Sequence, residues 1–467
     1  MRIQNREQKY FSALELDKIL HMLAAETSCE DAASAALELR PCGDLEETKE
    51  LLRQTFDAHM LVGRFGTPSF SGLKNRTNAL RRAEAGGMLN MGELLGISQL
   101  LRAMRSLMEW RRHSEGVSTC IDEQFEMLYT NKYLEEKISS AILSEEEMAD
   151  TASPELLDIR RKIRSGSLRI REQLDKMIRS STYQKYLQEP IVTMRAGRFV
   201  VPVKAECRGE VAGLVHDTSS SGATVFIEPM SVVEANNEIK VLISREEAEI
   251  ERILTELSKE TGEFADDMIA GYERAVYINL VFAKAHLAYK MKATMPQINC
   301  EGKICLKKAR HPLIDPEKVV ATDIVLGYDF DTLVITGPNT GGKTVSLKTI
   351  GLFSLMAMCG LLLPVSDESS VSVFRNVLVD IGDEQSIEQS LSTFSSHMTN
   401  IIQILGQADD QSLILLDELG AGTDPVEGAA LAMAIIESMR TRGVRLAATT
   451  HYAELKAYAL QTEGVEN

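Results

Sequence analysis

The chain has 467 residues, with 51 Lys and Arg against 68 Asp and Glu and a formal charge of −17. That length accommodates two to four domains with a substantial buried core, and the hydrophobic and charged fractions are those of an ordinary soluble protein. The acid excess argues mildly against a surface coated in nucleic acid. Seven cysteines without a Cys-x-x-Cys pair read as reduced thiols of a cytoplasmic protein, and the eight histidines show no metal-ligand spacing. The opening MRIQNREQKY lacks signal-peptide character, and the longest weakly charged run, Thr349 to Val365, is too short to span a bilayer, so no membrane role is expected.

In chain order, residues 1–130 read as helical. Leu16, Ile19, Leu20 and Leu23 recur at helical spacing, as do Leu94, Ile97, Leu101 and Met104. A long helix is expected from Ser153 or Pro154 to Gln188, stopped by Pro190. Two β-type runs follow, RFVVPVK (Arg198 to Lys204) and ATVFI (Ala223 to Ile227), separated by Gly- and Ser-rich turns. From Val232 to Lys292 there is no Pro and an imperfect heptad-like stripe (Ile239, Leu242, Ile250, Ile253, Leu257, Phe264 and Met268), which predicts one helix. Sixty helical residues would extend about 90 Å. Two long helices enclosing a β-rich tip describe an arm with a head.

The stretch from Thr151 to Glu210 carries 13 Lys or Arg against 7 Asp or Glu. Its basic cluster, Arg160, Arg161, Lys162 and Arg164, is the candidate polynucleotide contact. A solvated helix face carrying i, i+4 ion pairs is the alternative, and charge alone does not separate the two.

After Leu306 the texture alternates. Strands are expected at Thr322–Leu326, Thr332–Ile335, Ser372–Val379, Ser412–Leu416 and Arg445–Thr449, with helices between several of them, as in an α/β nucleotide-binding domain. LVITGPNTGGKTV (Leu333 to Val345) is an apolar strand running into Gly337-x-x-x-x-Gly342-Lys343-Thr344, a phosphate-cradling loop. Side chains at Gly337, Gly341 and Gly342 would obstruct backbone N–H groups turned toward a triphosphate. Together with Pro338, Asn339, Thr340 and Val345 they make the candidate ATP-binding segment. Lys343 supplies a charge to the phosphates, and Thr344 a hydroxyl for Mg2+. LILLDELGAGTDP (Leu413 to Pro425) is a buried-type strand ending in Asp417, a candidate Mg2+ ligand, and Glu418, placed to orient or deprotonate the attacking water.

GPNTGGKT, LSTFSSHM (Leu391 to Met398), Thr449-Thr450-His451 and Arg310-His311-Pro312 together resemble the MutS-type branch of the ABC ATPases, in its second bacterial subfamily. The resemblance implies a multidomain α and α/β protein. It would comprise a helical core (1–130), a long antiparallel helical lever arm (131–295) with a β-rich clamp tip at about 190–230, and an α/β P-loop ATPase domain (296–467). It implies that Ser392 reaches the γ-phosphate of a second copy, so that a homodimer completes the site; as plain sequence, Ser392-Thr393 is also a helix N-cap. His451 would sense the γ-phosphate, Gly420 to Asp424 would face the partner site, and Gln385 would contact magnesium or water. Val319 and Val320 would sandwich adenine, or else are strand core.

Departures from the family pattern matter too. No domain bearing a Phe-x-Glu mismatch wedge precedes the helical core, and the literal match Phe226-Ile227-Glu228 reads as a strand ending at Pro229. The chain is expected to be a truncated product, ending before the last strand and dimerising helices of the ATPase domain and before the nuclease-like Smr domain of the subfamily. Two functions fit the resemblance: a clamp that grips collided ribosomes through ribosomal RNA and splits them, or one that embraces branched DNA in recombination or repair. A structural lever ATPase of the SMC kind is a third, although its coiled coil would run several times longer.

Overall fold

The computed structural model describes residues 2–338, 342–382 and 393–467. Residues 74–105 and 129–270 form one compact unit, and residues 1–73, 106–128 and 271–467 form a second.

In the first unit, two long helices, Pro154–Ile178 and Met230–Glu263, carry a four-stranded antiparallel head. Ser153 caps the first of them by accepting from Leu156 N at 3.0 Å, and Pro154 sits in its opening turn, where no N–H is needed. The helices run antiparallel. Ser153 donates to Glu249 at 2.7 Å, Arg160 donates to Glu246 at 2.6 Å, and a Cβ on Gly166 would lie 3.3 Å from Ile239, so one chain rises as the other descends. The head strands are β1 (Thr193–Arg195), β2 (Arg198–Lys204), β3 (Gly213–Thr218) and β4 (Thr224–Pro229), in the order β1-β2-β4-β3. Ile170, Leu174 and Ile178, four residues apart on one helix face, bury against Phe199, Val201, Val203 and Ile227 of the sheet.

Two expectations about this arm are corrected. The helix from Pro154 stops at Ile178; the chain turns at Ser180, and Leu187 bridges to Val203, so Tyr183, Tyr186 and Leu187 pack into the head. The helix expected over Val232–Lys292 is two, Met230–Glu263 and Ala265–Met291. Phe264 leaves helical geometry (φ −116°, ψ 18°), and its ring stacks on Tyr129 at 6.2 Å.

The second unit contains strands β5 (Gln297–Asn299), β6 (Ile304–Ala309), β7 (Thr322–Leu326), β8 (Thr332–Thr336), β9 (Ser370–Ser372), β10 (Asn376–Asp380), β11 (Ser412–Leu416), β12 (Arg445–Thr450) and β13 (Val465–Glu466). A small sheet has the order β5-β9-β6-β7. The main sheet, β10-β11-β12-β8-β13, is parallel throughout. β13 is a two-residue strand on the edge of β8. β11 is buried along its whole length, which explains its unbroken apolar run.

Helix Lys343–Met358 lies on this sheet and is buried from Thr349 to Met358, as a helix apolar on all sides must be. Gly351 makes the approach possible: a Cβ there would meet Leu415 at 2.5 Å and Leu14 at 2.6 Å. Among the described residues, no helix is long and apolar enough to cross a membrane.

Lys284 on the Ala265–Met291 helix is buried and donates to the Cys359 carbonyl at 2.8 Å, just past the end of the Lys343–Met358 helix. Burial lowers its ammonium from 10.5 to about 8. Between those values the unfolded chain holds a proton that the folded chain has released, so stability rises with pH across the window and the full penalty is felt below it. The Lys284→Met variant should lose that rise. Denaturant titrations at pH 8 and pH 10 should show a wild-type gain on the order of 2 kcal/mol that the variant lacks. Equal slopes for the two proteins would refute the lowered value.

Candidate active site

The carboxyl ends of β8, β12, β11 and β10 lie side by side in the main sheet, and the candidate catalytic residues occupy them. β8 runs into Gly337, whose φ of +139° is open to glycine, and the loop rejoins described structure at Gly342, which caps helix Lys343–Met358 with φ +77°. Pro338 is exposed at the loop's start. Asn339, Thr340, Gly341, Gln385 and Ser392 lie outside the described residues.

Lys343, in the first turn, is buried. Its Nζ donates to the Thr450 carbonyl at 3.3 Å and lies 3.3 and 3.4 Å from the two ring nitrogens of His451. His451 directly follows β12, and its Nε2 approaches Glu418 Oε1 at 3.5 Å, the outer limit of such a contact. Thr344 stands half-buried beside Lys343. Lys343, His451, Glu418 and Asp417 therefore converge from β8, β12 and β11.

Asp417 is buried at the exit of β11. Its N–H donates to the Asp380 carbonyl at 2.8 Å, and its carboxylate accepts from the Thr449 hydroxyl. Glu418 sits in the left-handed region with φ +49°, and its N–H donates to Thr449 Oγ1 at 2.8 Å. The loop beyond turns at Gly420, where a Cβ would meet the Gly428 carbonyl at 2.6 Å, and Tyr452 donates to the Gly420 carbonyl at 2.8 Å. Asp424 ends the Gly420–Asp424 stretch by capping helix Pro425–Arg440.

Val319 and Val320 precede β7 in a loop, and Val320 is 80% exposed, so neither is strand core. With His311, Gly342, Val345, Ser346 and Thr349 they line a recess of about 360 Å³ that opens at the amino end of helix Lys343–Met358. A helix N-terminus, one buried ammonium, an adjacent carboxylate pair and an apolar-walled recess form a donor set that fits a nucleoside triphosphate with Mg2+.

The sequence reading passed over Asp380 and, although it quoted the motifs containing His397 and Thr449, gave neither residue a role. Asp380 ends NVLVD as Asp417 ends LILLD, and that parallel was the available signal. His397 Nδ1 pairs with Asp380 at 2.8 Å, and Asn400 donates to the other Asp380 oxygen at 2.8 Å. The Asp380 hydrogen bond, aided by the negative charges of Asp380, Glu418 and Asp417, holds the His397 imidazole above its ordinary value.

Of the four basic residues proposed for polynucleotide contact, three are engaged by acids. Arg160 bonds Glu246 and Asp150 (2.8 Å), Arg164 bonds Asp150, and Lys162 pairs with Asp158 at 2.7 Å. Arg161 is exposed, as is Arg169 farther along the same helix. The Phe226-Ile227-Glu228 match lies in β4, and Glu228 is fully buried between Arg198, Asn236 and His216, which rules it out as an exposed wedge.

Residues 333–467 match the family described as MutS domain V. The chain is 50% identical over 462 residues to the Endonuclease MutS2 of Ruminiclostridium cellulolyticum, covering 98% of this chain and 58% of that relative. It is 49% identical over 463 residues to the protein of the same name from Acetivibrio thermocellus, and 47% identical over 460 residues to that from Lachnospira eligens, with the same coverage of each. The chain thus spans somewhat more than half the length of these relatives. The match to domain V covers the strands and loops that gather Lys343, Asp417, Glu418 and His451, and the similarity to the MutS2 relatives continues through the arm and head.

Proposed function

We propose that the protein is an ATP-hydrolysing, dimeric clamp that grips a nucleic-acid-containing partner, with the ribosome as its first candidate and branched DNA as its second. The observation that carries the reading is the convergence of Lys343, His451, Asp417 and Glu418 at neighbouring strand ends beside the recess.

In this reading the 337–342 backbone cradles the phosphates and Lys343 compensates their charge. Val319, Val320 and Val345 wall the base. Thr344 and Asp417 would hold Mg2+, which when bound neutralises phosphate charge and polarises the terminal phosphoryl group. Glu418 orients the attacking water and accepts its proton, and His451 stands where a γ-phosphate would be sensed. Ser392 of a second copy would complete the site, with Gln385 as a further magnesium or water contact. The antiparallel helix pair and the β1–β4 head supply the gripping arm. The net charge of −17 and the burial of Glu228 favour a ribosomal partner over mismatch reading. The endonuclease in the relatives' name describes those proteins, and no nuclease step is assigned to the residues here.

Co-sedimentation with ribosomes and with a four-way DNA junction, each with and without ATP, tests the reading. ATP-dependent binding to ribosomes is expected. The double variant Arg161→Glu with Arg169→Glu should weaken binding and lower the slope of log affinity against log salt by about 2. Junction binding alone would move the assignment to DNA, and an unchanged slope would return this helix face to plain solvated surface.

A further inference from the structure

We infer that Thr449, next to last in β12, is a positioning residue for ATP hydrolysis, its one hydroxyl setting both Asp417 and Glu418. The inference rests on the ATP-hydrolysing reading above and adds a residue to it. Thr449 is fully buried. A hydroxyl has one hydrogen to give and lone pairs to accept with. Here the hydrogen goes to Asp417 Oδ1, and a lone pair takes the Glu418 N–H at 2.8 Å. The Thr449 carbonyl then accepts Leu419 N–H at 2.9 Å, so three consecutive residues beyond β11 are tied to this one position.

The reason lies in the sheet register. β11 and β12 pair as far as Leu416 and Ala448, and there β11 leaves the ladder. Past that point the backbone must turn Asp417 and Glu418 toward the phosphate side, and Glu418 does so at φ +49°, a conformation that disfavours any residue with a Cβ. Asp417 is held on its other flank by the Asp380 carbonyl on β10. Thr449 replaces the missing ladder bonds with side-chain ones. It fixes the rotation of the Asp417 carboxylate and anchors the strained Glu418 backbone, although it lies too deep to touch a nucleotide. Outer residues that orient a metal-binding carboxylate typically change metal affinity or activity by about 10- to 100-fold when removed.

A β-branched residue in a buried parallel strand also serves packing, and two substitutions separate the roles. Thr449→Val keeps the branched shape and removes the hydroxyl, whereas Thr449→Ser keeps the hydroxyl and removes the methyl. We expect Thr449→Val to bind ATP without Mg2+ within about threefold of wild type, to need roughly tenfold more Mg2+ for half-maximal turnover, and to lose about 10- to 100-fold in kcat. Thr449→Ser should recover most of that loss. In a double-mutant cycle, Thr449→Val added to Asp417→Asn should cost little more than Asp417→Asn alone, because the two act through one carboxylate. If Thr449→Val does not accumulate as folded protein, Thr449→Ala takes its place.

Wild-type kcat and Mg2+ demand in the hydroxyl-less variant would overturn the inference. So would a serine variant as impaired as the valine one, which would assign the position to packing. Wild-type protein that neither binds nor hydrolyses ATP would instead remove the functional reading itself, and the positioning role with it.

Discussion

Replacing Lys343 by alanine is expected to raise the Kd for ATP about a hundredfold while leaving the fold in place. The ammonium is buried at the amino end of the helix that faces the recess, within reach of the Thr450 carbonyl and the His451 ring. Among the described residues, no neighbouring cation stands ready to replace it. Lys348, one turn on, faces Glu15 at 3.6 Å, and Lys318 on the recess wall is turned to Asp315 at 3.9 Å. A hydrogen bond to a charged group contributes about 1.5–3 kcal/mol, and about 1.4 kcal/mol corresponds to each factor of ten in affinity. Losing the charge and its bonds to the phosphates therefore amounts to about two decades. Lys343→Met, which keeps the apolar stem, should bind ATP as poorly as the alanine variant and melt closer to wild type. Calorimetric titration with ATP and a thermal melt of each variant provide the check. A Kd within twofold of wild type would remove Lys343 from phosphate binding.

Much of this site was legible because its signals are local. The glycines of the phosphate loop, the apolar strand before it and the carboxylates closing LILLDE each answer to a backbone requirement within a few residues. The structure places Gly342, Lys343, Asp417 and Glu418 at strand and helix ends accordingly. The strands at Thr322–Leu326 and Ser412–Leu416 agree to the residue, since both are short apolar runs bounded by breakers. What stayed hidden depends on register between distant segments. Thr449 and Asp417 are 32 positions apart and meet only because β12 lies beside β11, while His397 reaches Asp380 from a helix 17 positions on. The break at Phe264 is hidden for a related reason: the local sequence favours helix on both sides, and Tyr129 is the partner that the ring stacks on. The basic stretch carried both of its readings in its composition: Asp158 pairs with Lys162 one turn away and Asp150 lies just before the helix, whereas Glu246, which engages Arg160, comes from the distant second helix.

Glu418→Gln separates binding from hydrolysis and should give the largest change in rate of any single substitution here. The swap conserves volume and leaves Asp417, Lys343 and the recess intact, but it removes the base. A positioned general base contributes roughly 10²- to 10⁴-fold, so kcat should fall by that range. ATP affinity should hold or tighten, because one negative charge beside the phosphates has gone. The Glu418 backbone is anchored to Thr449 and Leu419 N–H bonds the Thr449 carbonyl, so the glutamine inherits the same placement and the loss is chemical rather than conformational. The contact to His451 at 3.5 Å can persist through the amide, which keeps that ring beside Lys343. With hydrolysis stalled, the variant should accumulate as an ATP-loaded dimer, seen as a doubled mass in light scattering when ATP and Mg2+ are added. Rapid-quench measurement of a single turnover gives the rate directly. A rate within threefold of wild type would dismiss Glu418 as the base and leave water orientation to His451; slow turnover with no gain in mass would keep the base but count against a dimer sealed by ATP.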